Sequence, residues 1–146
     1  MRSPLLSLLA CGSIAAAVAT QAQAQQNMSP SHVVFTYTGE VLPGQDEAFK
    51  QMVPKIIAAV EQEPGTRAYQ WNMRSDGKTF DVVEIYQDSS AVVAHVKDVR
   101  SKFGEELRKT QKTVRLVVYG NPDAEAKEAI EGLHPEYETP FAGFIR

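Results

Sequence analysis

The stretch DVVEIYQDSSAVVAH, Asp81–His95, changes period halfway along. Up to Tyr86 it is β-branched and aromatic and reads as a strand. Asp88-Ser89-Ser90 is then a helix start, since any of these side chains can cap free backbone N–H groups. Extended back to Phe80, the strand puts Phe80, Val82, Glu84 and Tyr86 on one face and Asp81, Val83 and Ile85 on the other. Glu84 is therefore a carboxylate among apolar neighbours, and His95 lies about one turn into the helix that follows.

Upstream, TRAYQWNMR (Thr66–Arg74) alternates, with Tyr69, Trp71 and Met73 on one side. Asp76-Gly77 supplies the positive φ of a hairpin turn between this strand and the strand Thr79–Tyr86. Gln45–Gln62 carries Phe49, Met52, Val53, Ile56, Ile57 and Val60 at helical spacing, with Pro54 inside expected to kink or break it. Asp46 and Glu47 suit the positive end of its dipole. His32–Val41 is a further strand, closed by Leu42-Pro43-Gly44. Downstream come a helix from Ala91 to Lys109, a strand from Thr113 to Tyr119, a charged helix from Ala124 to Leu133, and a tail, His134–Arg146, with Tyr137, Phe141 and Phe144. The order βαββαβ predicts an α+β, ferredoxin-like fold: a four-stranded antiparallel sheet with two helices on one face, plus a C-terminal helix and tail.

The chain has 146 residues, of which the first are not expected to belong to the fold. Arg2 precedes an apolar run, Leu5–Val18, and Ala22-Gln23-Ala24 fits a cleavage site. Residues 1–24 read as a secretory signal peptide and 25–31 as a loose leader, which predicts a periplasmic or secreted protein. A retained anchor and lipidation at Cys11 are the alternatives. The remaining chain, about 120 residues, suits one domain: a core over 32–120 and an appendage over 121–146. Cys11 is the single cysteine, so the exported chain would carry no thiol or disulfide. The formal charge is −3, with basic residues scattered. Nucleic acid and, after cleavage, membrane surfaces are poor partners for such a chain.

Both faces of the strand Thr79–Tyr86 are largely apolar, and two helices cover only one. A homodimer formed through the open sheet face answers this, the alternative being that the third helix and tail fold back over it.

The run MVPKIIAAVEQEPGTRAYQW (Met52–Trp71), followed by Asp76-Gly77 and FDVVEIYQDSSAVVAH (Phe80–His95), resembles the antibiotic biosynthesis monooxygenase-like domain family over roughly residues 33–119. The resemblance implies a dimeric α/β barrel of ferredoxin-like subunits. It also implies oxidation of polycyclic phenols or quinols by dioxygen without metal or flavin, the substrate supplying the electrons. Tyr86 matches a pocket tryptophan of the family and Val82 a pocket asparagine, so an aromatic wall is kept and an amide is lost. Haem-degrading relatives use an Asn, Trp and His set. Here His95 stands near their tryptophan and residues 100–102 near their later histidine, which disfavours haem degradation.

By parity Glu84 faces the space between sheet and helices. A carboxylate buried there has a raised pKa and suits a general base for a phenol or quinol; a structural carboxylate bonded to backbone, His95 or Trp71 is the plainer possibility. His95 is expected to meet Glu84 and relay a proton, or simply to pack. Tyr86, Trp71, Tyr69, Val82, Phe49 and Met52 are the expected substrate walls. His32, His95 and His134 show no metal-ligand spacing. Together with the resemblance, these residues lead to the expectation of an exported, dimeric, cofactor-independent monooxygenase of a small aromatic or quinol substrate. The rival expectation is a non-catalytic binder of a small apolar ligand in the same pocket, and a third is a purely structural dimer.

Overall fold

A computed structural model of the chain describes residues 31–145. The expected signal segment, and the leader apart from Ser31, lie outside the described residues. The elements are β1 (Val33–Val41), α1 (Asp46–Val60), β2 (Thr66–Met73), β3 (Thr79–Tyr86), α2 (Ser89–Thr110), β4 (Gln111–Tyr119), α3 (Ala124–Ile130), a 3-10 turn (Glu131–Leu133) and β5 (Glu136–Glu138). The strands form one sheet in the order β2-β3-β1-β4-β5. The first four pair antiparallel, with β1 between β3 and β4, which is the ferredoxin-like arrangement.

The sheet has a fifth strand where four are expected. β5 adds parallel to β4, and Arg115 holds it by two hydrogen bonds to Glu136, at 3.0 and 2.6 Å. Its residues are all exposed, so no alternation marks it in the sequence. The third helix is also shorter than expected: beyond Ile130 the backbone tightens, and His134 turns left-handed at φ 51°.

α1 buries Phe49, Met52, Ile56 and Val60 and runs unbroken through Pro54. Pro54 is exposed, so the carbonyl it deprives of a donor can bond water. α2 starts where the Asp88 carboxylate accepts from Ala91 N at 2.9 Å, two residues earlier than expected. Its end is sealed by Leu42 N donating to Thr110 O at 2.9 Å, and β4 begins at the very next residue.

The core lies on the helix-bearing side of the sheet, in two clusters. One joins Phe35, Tyr86, Val92, Leu116 and Val118 to Ala126 and Ile130 of α3. The other joins Phe49, Met52, Ile56 and Val60 of α1 to Phe80 and Val82. Each buried Val, Leu, Ile, Phe or Met side chain among these contributes about 1.5–3 kcal/mol. α3 therefore packs on the helix side and not over the outward face, where Val83 is 37% exposed. In the tail, Phe141 is 99% and Phe144 66% exposed. Among the described residues no helix is long and apolar enough to cross a membrane.

Candidate active site

Strand register builds the floor of the site. Tyr69, Glu84 and Phe35 form one row across β2, β3 and β1, and Trp71, Val82 and Tyr37 form the next. Opposed residues share a face, so both rows point toward α2. They bound a cavity of about 550 Å³, roofed by His95, Val96, Val99 and Leu107 of α2. The apolar stripe of α2 is only half buried for this reason: much of it lines space instead of core.

Glu84 and His95 are buried at the inner end of this cavity. His95 Nε2 lies 3.6 Å from Glu84 Oε2. On the other side of the ring, Nδ1–H donates to Glu63 Oε2 at 2.9 Å. Tyr86 donates its phenolic proton to Glu84 in a short hydrogen bond. The result is a chain Glu63–His95–Glu84–Tyr86. Burial pushes the Glu84 carboxyl upward, although His95 and Tyr86 pull it back. Burial would drive the imidazole of His95 down, but the hydrogen bond to Glu63 and the carboxylates of Glu84 and Glu63 outweigh it and leave it raised. Both shifts are toward the proton-bound form. Burial, then the charge of Glu84, also holds the Tyr86 and Tyr69 phenols above their ordinary range, and both remain neutral.

Glu63 arrives by way of the turn after α1. Thr66 Oγ1 donates to its carboxylate at 2.6 Å, and Gln87 N donates to Gly65 O at 2.9 Å. Gly65 makes the approach possible: a Cβ there would lie 2.5 Å from Ala91 Cβ of α2. Glu63 also borders a surface groove beside the start of α2. The sequence marks this residue only as part of the Glu63-Pro64-Gly65-Thr66 turn that ends a helix.

Of the residues expected at the site, Glu84, His95, Trp71, Tyr69 and Val82 line the cavity together. Tyr86 does not. It is fully buried in the first core cluster, edge-on to Phe35 at 5.1 Å, and meets the site through its hydrogen bond to Glu84 and its ring contact with His95, centroids 5.1 Å apart. Phe49 and Met52 are likewise core; Phe49 supports Trp71 from behind, with ring centroids 5.8 Å apart. Besides Glu63, sequence reasoning missed Phe35 and Tyr37, whose inward parity was available, and the cavity mouth. There Tyr37 donates to Gln111 Oε1 at 2.7 Å, and Arg100, Arg108 and Lys112 stand exposed. Among the described residues no group of three His, Cys, Asp or Glu side chains could hold a metal ion.

A family profile described as antibiotic biosynthesis monooxygenase matches residues 30–115. No curated protein matches the chain at a significant level. Among solved structures, MupZ from Pseudomonas fluorescens superposes with a TM-score of 0.69 at 20% identity, over 80% of this chain and 95% of that one. SnoaB, a cofactor-independent oxygenase from Streptomyces nogalater, superposes with a TM-score of 0.55 at 14% identity, over 64% and 96%. A conserved protein from Methanosarcina mazei gives 0.57 at 15% identity, over 64% and 95%. At these identities the likeness is one of fold.

Proposed function

The chain belongs to the antibiotic biosynthesis monooxygenase family, and on that premise we propose that it is a cofactor-independent monooxygenase of an aromatic phenol or quinol. One observation carries this reading: a buried carboxylate and imidazole, 3.6 Å apart, open into an aromatic-walled cavity large enough for a small ring system. The description of SnoaB as a cofactor-independent oxygenase supports it.

In this reading a ring lies between Trp71 and Tyr69 on the floor and Val96 and Val99 on the roof. Its hydroxyl meets Glu84, which takes the phenolic proton. His95 stays cationic and offsets the new charge, while Glu63 fixes Nδ1 and so aims Nε2 at Glu84. The anion gives up electrons to dioxygen, and a C–O bond forms at the activated ring carbon. Cleavage of the O–O bond, with loss of the remaining C–H proton, leaves one oxygen as a carbonyl, and the other departs as water, taking up that proton and the one returned by Glu84. The substrate CH₂ becomes C=O, and dioxygen is fully reduced. The same reading takes the molecule as an exported homodimer, with residues 1–24 removed and Val83 and Ile85 packed against a second copy.

Oxygen uptake with a panel of quinols and anthrone-type phenols tests it. Wild type should consume oxygen, and Glu84→Gln should lower kcat by about 100-fold or more. Equal turnover in the two removes the proton-handling role. No uptake with any phenol, together with a Tm raised by an aromatic ligand, makes the protein a binder.

A further inference from the structure

The two ends of the cavity have opposite chemistry. Glu84 is the acid at the buried inner end, whereas the charged side chains that line the exposed mouth are cations: Arg100 and Arg108 on α2 and Lys112 at the start of β4. Lys112 is held 2.9 Å from Glu40, and Arg100 Nη2 donates to Ala129 O at 2.9 Å. The Arg108 side chain makes no hydrogen bond or ion pair with a described residue. The acid that feels it, Glu105, is already bound by Lys109 at 2.5 Å.

Gly104 lies midway between the two arginines in the helix, at a buried position on the cavity wall. Glycine is disfavoured inside helices, so its use here calls for a reason. A Cβ at this site would meet Arg108 Nη1 at 3.4 Å and Arg100 Cγ at 3.6 Å. These are ordinary contact distances, so a Cβ would fit, and the bare backbone leaves that methyl-sized notch between the two arginine side chains open. Beside it Gln111 spends its carbonyl oxygen on Tyr37, and its amide N–H groups remain as donors.

From these features we propose that the ligand is an elongated aromatic acid whose carboxylate lies in the Arg100–Gly104–Arg108 notch while its hydroxyl reaches Glu84 and His95. Gly104 lies nine positions beyond His95 in the helix, about 14 Å at 1.5 Å per residue. The side chains reach inward from both ends, and a body of two or three fused rings fills what remains. Guanidinium groups suit a carboxylate because their planar donors match its two oxygens. The inference rests on reading the cavity as a phenol or quinol site, and it names the class of phenol.

The test is a pair of probes, 6-hydroxy-2-naphthoate and 2-naphthol, titrated against the purified protein by Trp71 fluorescence, with oxygen uptake recorded separately. The acid should bind about tenfold tighter than the neutral phenol at low salt, and the advantage should shrink at high salt. Arg108→Gln should remove most of the ratio between the two. Equal affinities in wild type, a ratio untouched by Arg108→Gln, or no binding of either probe overturns the inference. A carboxylate preference without oxygen uptake sinks the monooxygenase and leaves the acid site standing; uptake without preference does the reverse.

Discussion

Asp81 and Glu84 stand three residues apart on β3, and the fold pushes their carboxyl groups in opposite directions. Asp81 faces outward, where Arg74 grips it with two hydrogen bonds of 2.9 Å and Thr38 adds one of 2.7 Å. The guanidinium holds its pKa below the ordinary value. Glu84 faces the cavity, where burial dominates and its partners are an imidazole and a phenol. A strand pleat thus gives similar carboxylates opposite shifts, downward beside a guanidinium on one side and upward by burial on the other. Residue type alone would not distinguish them.

Three experiments probe the contrast between the faces. Val83→Lys places a charge on the outward face and should convert a dimer to monomer in sedimentation at micromolar concentration; a wild type already monomeric under those conditions removes the proposed dimer. Tyr86→Phe acts on the inward face. It takes the hydroxyl donor from a buried carboxylate and should cost about 1–3 kcal/mol in urea unfolding. Thr38→Val, which leaves Asp81 its arginine, should cost less, and equal losses would erase the distinction. The third and smallest effect lies in the pH dependence of Tm. Asp81, lowered from 3.8, contributes stability that is complete above 3.8 and is lost as pH falls through its folded value. His95, raised from 6.5, contributes stability that is complete below 6.5 and is lost as pH rises through its folded value. Glu84, raised from 4.5, runs the same way as His95, starting from 4.5. Tm should therefore decline at both extremes, with Asp81→Asn flattening the acid limb and Glu84→Gln the alkaline one. An alkaline limb unchanged in Glu84→Gln breaks the assignment.

The sheet was legible because its signals are local. Alternation in Thr66–Arg74 and Thr79–Tyr86, with Asp76-Gly77 between them, settles a hairpin and the face of each residue. Period two does not say where along that face a residue lies. Tyr86 and Glu84 share parity, yet Tyr86 falls beneath the start of α2 and the nearby α3, in core, while Glu84 opens on the cavity. The same limit applies to Phe49 and Met52, which lie on the expected stripe of α1 but pack with Phe80 in the neighbouring cluster. Glu63 was hidden differently: it belongs to neither period, and a turn delivers it to His95 across 32 positions of chain.

The central place of β1 governs how this chain can fold. The β2–β3 hairpin is closed by a short turn and can form on the microsecond scale of local structure. β1 is made first but must wait for its second neighbour: the Tyr37–Gln111 hydrogen bond spans 74 positions. Loop closure over such distances is slow. The middle of the sheet, and the floor of the cavity with it, therefore completes late, after nearly the whole domain has been synthesised.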